Sequence, residues 1–391
     1  MSIPIESKRG VFALMVAHCA GMVDMVALPL WVGALISHYK FDPQAAGGLA
    51  TIFLLAVLVV SVFVAGQFHR LSGRLLPSVG FAVAALGFGL CFTTTEYVEL
   101  AVFHALAGGG TGVALSMTHG TIAKSGNPHR LFAVVNIALG FFAVLFIAST
   151  PQLIAAFGGP VLFAVFGAVM GVAALTSVLM FPVVSKEVTL EASPSVKPQP
   201  IPREVWFGIV GLGCLTLVQA MTFSFMERVG MDRGFERQAI NGVLIALGLV
   251  NLLPAGLAML LEKRLSARTV LLVVPAIQAA LAATIMTSPV FAPFAMSAAV
   301  FVAIVIFAHP FAFGLLAKLD PSGRAMAGTP AMIMAGSAAA PLLAGTLVKF
   351  YGYGGIAVAA GCVAAVAIFC FSRLPSSTPV LAPAPAPAPV I

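Results

Sequence analysis

The sequence predicts an all-α integral membrane protein with twelve transmembrane helices in two six-helix bundles and both termini in the cytoplasm. Of its 391 residues, 60% are hydrophobic and 8% are charged, whereas soluble proteins carry about 25% charged residues. The chain divides into twelve apolar stretches, and a short basic motif recurs in its two halves. So few charges cannot cover a soluble body of this length, which excludes a water-soluble enzyme.

Each of the twelve stretches is long enough to cross the hydrocarbon layer, which takes about 20 apolar residues in a helix. Lipid offers no hydrogen-bond partners to the backbone, so all twelve should be helices. They are residues 10–37, 44–68, 75–95, 98–123, 131–156, 160–184, 204–226, 238–261, 268–288, 290–317, 325–349 and 354–374.

The chain outside these stretches indicates the domain boundaries. Residues 185–202 contain four prolines and several charges, as expected of an exposed linker between a bundle over 1–184 and a bundle over 203–375. The Pro-Ala run of residues 376–391 cannot pack and is expected to be disordered. The first apolar run is too long for the core of a signal peptide, about 7–15 residues, so we interpret it as a retained span.

The basic residues predict the orientation of the chain. With both termini in the cytoplasm, Lys40, Arg228, Arg233, Arg237 and Lys349 fall outside, and the other fifteen of the twenty Lys and Arg residues fall inside. This asymmetry is the positive-inside pattern of membrane proteins. The net charge of +7 is therefore a topology signal, and because the basic residues form no cluster, nucleic acid is not an expected partner.

An internal repeat relates the two halves. The segment Arg264-Leu-Ser-Ala-Arg268 repeats residues 70–74 at an offset of 194, and Arg324 repeats Arg130 at the same offset. Both matches lie at equivalent loops, so they indicate a duplication of six helices. Two halves of equal orientation are then related by an axis along the membrane normal.

Here the sequence resembles the major facilitator superfamily of secondary transporters, over residues 8–375. The loop after the second helix keeps Gly66, Gly73 and Arg74 of the family's Gly-x3-Asp-Arg/Lys-x-Gly-Arg signature, but Arg70 stands where the family has an acidic residue. The resemblance implies gating roles for this loop and its repeats, that is, for Gly66, Arg70, Gly73, Arg74, Arg130, Arg264, Arg268 and Arg324.

A second motif concerns the fourth helix. Proton-coupled drug antiporters of the family carry Arg-x-x-x-Gly-x-Gly there, and this chain has His104 in place of the arginine, followed by Gly108 and Gly110. The antiporter motif of the fifth helix is reduced to Thr150-Pro151, which leaves import or facilitated diffusion open.

Asp24 is the one acid that lies mid-way along a predicted span, because the other twelve fall in loops, termini or span ends. An ionised Asp at the bilayer centre costs roughly 2.5–3.5 kcal/mol on insertion scales, so it should face a polar cavity, pair with a cation or bind a proton. We interpret it as a proton- or substrate-binding carboxylate; the alternative is a hydrogen bond that packs two helices. His104, if near Asp24, would complete a two-site proton relay.

The resemblance also implies a central cavity lined by the first, fourth, seventh and tenth helices. Each of these spans carries a strongly polar residue in this chain. The cavity residues expected on this basis are Trp31, Thr111, Gln219, Phe223, Met226, His309 and Phe313.

The sequence thus predicts a proton-coupled secondary transporter of a small organic, amphipathic or aromatic solute, without a cofactor and monomeric, in a bacterial inner membrane. No catalytic or nucleotide-binding motif is present, so an enzyme or an ATP-driven pump is not expected. The alternative is a soft metal ion or its chelate as substrate. On a continuous helix, His18, Met22 and Met25 would share one face, and imidazole and thioether ligands suit copper(I).

Overall fold

The structure is a computed structural model that describes residues 3–67, 74–182, 201–320 and 329–375. All regular secondary structure in these ranges is α-helical, which confirms the predicted class. The linker over most of 185–202, the tail after residue 375, and the predicted gating residues Arg70, Gly73 and Arg324 lie outside the described residues.

Seven helices precede the linker and eight follow it among the described residues. The first half contains α1 (Lys8–Gly21), α2 (Asp24–Ser37), α3 (Pro43–Gln67), α4 (Leu75–Cys91), α5 (Tyr97–Ala123), α6 (Pro128–Phe157) and α7 (Val161–Met180). The second half contains α8 (Arg203–Ser224), α9 (Met226–Asp232), α10 (Arg237–Val250), α11 (Pro254–Leu261), α12 (Ala267–Thr287), α13 (Phe291–Leu319), α14 (Thr329–Tyr351) and α15 (Tyr353–Ser372).

Ten helical stretches within the described ranges are long and apolar enough to cross a membrane. The stretch predicted over 75–95 forms α4, which has 17 residues. The stretch predicted over 238–261 is interrupted between α10 and α11, where Pro254, which lacks a backbone N–H, opens the second segment.

The first and seventh spans are also interrupted, at positions the sequence did not predict. The first breaks at Met22 and Val23, where the Val23 N–H bonds to the carbonyl of Ala20, three residues back, rather than four. The seventh breaks at Phe225. Neither break lies at a proline, and the proline of the first span, Pro29, is accommodated inside α2.

Contacts between loops define two ends of the molecule. At the end called here the Lys8 end, the Gly126 N–H donates to Glu6 Oε1 at 2.9 Å and Arg268 Nη2 donates to the Ser372 carbonyl at 2.9 Å. At the opposite end, called the Asp42 end, Lys349 Nζ lies 3.0 Å from Asp42 Oδ2 and so joins the two halves.

Candidate transport site

Asp24 is buried at the start of α2, directly after the break in the first span. A carboxylate in the first turn of a helix is stabilised by the positive end of the helix dipole. The start of a helix favours the ionised form of Asp24, although the N–H groups of Met25 and Val26 already donate to carbonyls three residues back. A continuous helix would have placed the same residue in mid-helix.

Gln219 occupies the equivalent position in the second half. The spans Lys8–Ser37 and Arg203–Asp232 each have 30 residues. Asp24 and Gln219 both lie 16 positions after the first residue of their span, since 24 − 8 and 219 − 203 are equal. Gln219 is 9% exposed, so a polar side chain is buried at the same depth in each half.

The remaining expected cavity residues of the second half lie at two depths. Phe223 and Met226 are buried near the break in the seventh span. His309 and Phe313 lie nearer the Lys8 end of α13, with ring centroids 5.3 Å apart and planes 12° from parallel. His309 Nε2 is buried and makes no hydrogen bond within the described part of the chain, so it is a polar atom available to a ligand.

The structure places Trp31 and His104 in the interior of the first half. Trp31 Nε1 donates to His104 Nε2 at 3.2 Å, and His104 Nδ1 lies 2.7 Å from the Leu100 carbonyl, which only a protonated nitrogen can satisfy. Both nitrogens of a neutral imidazole are thereby paired. Trp31 lies seven residues after Asp24 on α2, or about 10 Å along the helix. His104 is level with Trp31 and therefore shares no hydrogen bond with Asp24.

Aromatic rings enclose this Trp–His pair. The Trp31 ring lies 4.9 Å from that of Phe166, the closest of these contacts, and other rings complete the cluster. They belong to Phe53, Phe88 and Phe163. Thr111, also expected in the cavity, is fully buried with its hydroxyl bonded to the Ala107 carbonyl of its own helix at 2.8 Å.

Glu227 is the functional candidate that the sequence analysis missed. We expected it in an outer loop, because the predicted span ended at residue 226, but the span extends to Asp232 and Glu227 is 8% exposed. Its Oε2 is buried without a hydrogen-bond partner among the described residues. Asp24 is therefore not the only acid inside a span. The sequence analysis placed this segment in a loop because Arg228 and Asp232 are charged. In the structure these two residues form an ion pair at the end of the span.

The face expected to hold a metal is not present. The helix that would carry it ends at Gly21, and Met25 is 37% exposed whereas His18 is 2% exposed. His18 instead lies beside His119 of α5, with Nδ1 and Nε2 3.1 Å apart. No group of three His, Cys, Asp or Glu side chains among the described residues could hold a metal ion.

Polar contacts join the two halves at and near the Asp42 end. Lys349 Nζ lies 3.0 Å from Asp42 Oδ2 and 3.2 Å from Gln44 Oε1. The backbone N–H of Leu342 donates to Thr51 Oγ1 at 3.0 Å. The N–H of Ala45, and then the Lys349 ammonium, hold the pKa of Asp42 below its usual range, so this contact carries its full charge at neutral pH.

Two glycines allow α3 and α14 to pack backbone against backbone there. A Cβ on Gly47 would lie 2.1 Å from the Pro341 carbonyl oxygen, and one on Gly345 would lie 2.1 Å from that of Pro43. Neither position can accept a side chain without separating the helices. The Asp42 end is thus closed by close packing as well as by charge.

Comparison with known proteins identifies the family. The sequence profile described as Major Facilitator Superfamily matches residues 13–322. The chain belongs to the Major Facilitator Superfamily. It is therefore a multi-pass integral membrane protein of a transporter family, as the resemblance predicted, and the family's members are generally not enzymes.

Two solved structures of superfamily transporters share the fold at low identity. The nucleoside transporter NupG, in the form of a point mutant, matches with a TM-score of 0.74 and 12% identity, over 93% of this chain and 99% of that one. A bacterial homolog of the human lysosomal transporter Spinster, inward-facing and unoccupied, matches with a TM-score of 0.69 and 13% identity, over 94% and 98%. No curated protein matches in sequence.

The superfamily's loop signature is described here only in part. Gly66 lies in the last turn of α3, and Arg74 immediately precedes α4. In the equivalent loop of the second half, Arg268 lines a cavity of about 480 Å³ within that half at the Lys8 end.

Two further members of the predicted gating set lie at the same end, one in a loop and one at the start of a helix. Arg264 follows α11 in the loop that leads to α12. Arg130 lies in the first turn of α6, where its N–H donates to the capping Asn127 side chain at 3.0 Å.

Proposed function

We propose that this protein is a proton-coupled secondary active transporter of a small organic solute that works by alternating access. In this proposal twelve spans form two bundles, over 1–184 and 203–375, with both termini in the cytoplasm. The protein acts as a monomer in a bacterial inner membrane, without a cofactor. The interrupted α10–α11 helix and the short α4 serve as two of the twelve spans.

The position of Asp24 carries the proposal. An acid buried in the middle of a span has a function in most membrane proteins, because its burial is costly and an apolar residue would stabilise the span better. The break before α2 makes both the ionised and the protonated form tolerable there. A coupling residue needs both forms, since it must bind a proton facing one side and release it facing the other.

The contacts between the halves support a motion of one half against the other. Under the proposed topology the Asp42 end faces outward, and the polar contacts and glycine packing close it. We assign the conformation as inward-facing. Opening would break the contacts at Asp42 and Lys349 and form others at the Lys8 end. A proton that crosses 100 mV contributes about 2.3 kcal/mol to such a cycle.

The side chains of the proposed path favour an amphipathic or aromatic solute. Gln219 supplies an amide beside Phe223 and Met226, and the stacked pair His309 and Phe313 supplies an aromatic face with an unpaired ring nitrogen. An aromatic ring with polar substituents matches this combination, because ring stacking and one or two hydrogen bonds together fix its orientation.

The test begins with a thermal-shift screen of the purified protein at pH 5.5 and pH 7.5, against nucleosides, aromatic amino acids and aromatic amines. A stabilising compound is then assayed as a radiolabelled solute in proteoliposomes with an imposed pH gradient. We expect Asp24→Asn to abolish accumulation against the solute gradient and to retain exchange of labelled for unlabelled solute. Glu204→Gln, which neutralises an exposed acid at the start of α8, is the matched control.

Accumulation that survives in Asp24→Asn, or that ignores the pH gradient in the wild type, would contradict proton coupling through Asp24. Facilitated diffusion would appear as solute equilibration without accumulation in every variant.

A soft metal remains the second candidate substrate, and the His18–His119 pair is the observation that favours it. The two facing nitrogens are 3.1 Å apart, and His18 Nε2 is buried without a partner within the described ranges. Metal analysis after incubation with copper(I) decides between the candidates. One equivalent of copper bound to the wild type and lost in both His18→Ala and His119→Ala would support a metal substrate. Equal trace copper content in the wild type and both variants would exclude it.

A further inference from the structure

Glu227 and Gly33 form a close contact between the two halves. A Cβ on Gly33 would lie 1.9 Å from Glu227 Oε2, so the carboxyl group of α9 rests against the backbone of α2, and a side chain at Gly33 would displace it. The carboxyl is 8% exposed, and Oε2 makes no hydrogen bond within the described part of the chain. One helical turn away, Arg228 Nη1 donates to Ser37 Oγ at 3.1 Å across the same boundary.

Two cations lie near this carboxyl without forming an ion pair with it. Arg228 is held by Asp232, with Nη2 and Oδ1 2.6 Å apart, and Arg237 opens α10 at the exposed rim. No ion pair involving Glu227 occurs among the described residues.

The other helices around α9 contribute no further charge. The facing segments of α8 (216–224) and α12 (281–287) contain no ionisable residue, and α15 contributes the neutral Tyr353 hydroxyl, which donates to Asp232 at 2.5 Å. After α2 comes His38, whose pKa is lowered by burial and then by Arg237.

An ionised carboxylate in this position would keep Oε2 without water or a donor, which disfavours the charged form. A protonated carboxyl is neutral and packs against Gly33 at much lower cost. When α2 and α9 separate, water reaches the carboxyl and the ionised form becomes stable, with Arg237 nearby. The contact therefore links a proton to the distance between the two halves.

We propose that Glu227 is a protonation-dependent latch that closes the Asp42 end when its carboxyl binds a proton and releases α2 when it ionises. The latch rests on the alternating motion of the proposed function but not on Asp24. It makes Glu227 a second coupling residue, placed at the contact between the halves rather than at the depth of the solute path.

The experiment measures the distance between the halves at the Asp42 end by double electron–electron resonance. Spin labels are attached at Thr95→Cys and Pro289→Cys, two exposed loop positions in different halves, in a Cys362→Ala background that removes the exposed native thiol. Mass spectrometry checks that two labels are bound. Spectra are recorded in lipid nanodiscs from pH 5.5 to pH 8.5.

The proposal predicts a ratio of closed to open populations that falls with rising pH, by at most about tenfold per pH unit for one proton. In Glu227→Gln, where the side chain is a neutral isostere, the closed population exceeds the open population throughout. The ratio of the two changes less than twofold between pH 5.5 and pH 8.5. In Gly33→Ala the added methyl displaces the carboxyl from this contact, so the closed population at pH 5.5 falls below that of the wild type. Glu99→Gln, an exposed glutamate of α5 at the same end, serves as the control and behaves as the wild type.

A wild-type ratio independent of pH, or a Glu227→Gln ratio that keeps the wild-type dependence, overturns the latch. If Asp24→Asn abolishes the dependence and Glu227→Gln does not, Asp24 alone carries the proton. In that case the latch fails and the proposed function stands. Size-exclusion profiles and thermal melts verify folding, and Gly33→Ala tests the same contact in the opposite direction if Glu227→Gln does not fold.

Discussion

The backbone-to-backbone packing between the halves, at Gly47 and Gly345, offers the sharpest test of how the Asp42 end stays closed. In Gly47→Ala the new Cβ would lie 2.1 Å from the Pro341 carbonyl oxygen, where an ordinary contact begins near 3.4 Å. The helices α3 and α14 must therefore separate by about 1.3 Å, the difference between these two distances. Overpacking of this kind costs about 1–3 kcal/mol.

In the proposed motion the two helices part when the end opens, so the closed conformation alone bears this cost. A change of 1–3 kcal/mol shifts the ratio of closed to open molecules about 5- to 150-fold toward open. The distance measurement between labels at Thr95→Cys and Pro289→Cys reports this ratio directly. Gly242→Ala is the matched control, because Gly242 lies in a helix near the same end with no atom within 4 Å of an added Cβ.

We expect Gly345→Ala to act in the same direction, since its Cβ meets the Pro43 carbonyl at the same 2.1 Å. A distance distribution in Gly47→Ala that matches both the wild type and Gly242→Ala would refute the reasoning. It would mean that the helices already stand further apart in the membrane, or that close packing does not hold the end closed.

Three further predictions concern single side chains. Lys349→Met should lower the ratio of closed to open molecules by up to about fivefold, because an exposed ion pair contributes at most about 1 kcal/mol, and the effect should be smaller at high salt. The pKa of Asp42 is lowered, so in the wild type the ion pair stabilises the closed form fully above about pH 4. This stabilisation disappears as the pH falls through the lowered pKa. His104→Ala should destabilise the protein by about 1–3 kcal/mol in a thermal melt, since Trp31 Nε1 loses its acceptor, and leave the pH dependence of transport unchanged; a shifted pH profile would restore a coupling role. Arg233→Met should lower the stability of the protein by about 1–3 kcal/mol in the same thermal melt, because the Arg233 guanidinium donates to backbone carbonyls at the end of α12. An unchanged melting temperature would contradict this role of Arg233.

Composition and hydropathy were enough to predict the class of this chain, and the family was predicted from the motifs that its loop and fourth helix resemble. Apolar length is a local property, so ten of the helical stretches could be located from the sequence as candidate spans. The interruptions were not predictable by the same means. Residues Gly21 to Asp24 contain no proline, and the break there depends on how α1 and α2 pack against their neighbours.

Burial of individual polar residues was the weakest part of the sequence prediction. Glu227 stands beside Arg228 and near Asp232, a composition typical of a loop, and only the fold shows that its carboxyl turns toward Gly33. His104 was expected near Asp24 because both lie in cavity-lining helices. The sequence could not show that His104 faces Trp31, since the rotation of a helix about its axis is set by tertiary packing.

Asp24 and Glu227 lie on α2 and α9, the helices that meet between the halves at Gly33, and in the proposed mechanism this arrangement connects proton binding to motion. Asp24 begins α2, and Gly33, nine residues later and about 13 Å along the axis, meets Glu227. In the proposed mechanism α2 moves as one element, so a displacement of α2 that follows a change at Asp24 also changes the contact at Glu227. Protonation of either acid would thereby bias the same displacement, because both act on one helix. A mechanism that alternates between two facing states requires such a shared element, which both the solute path and the gate can shift.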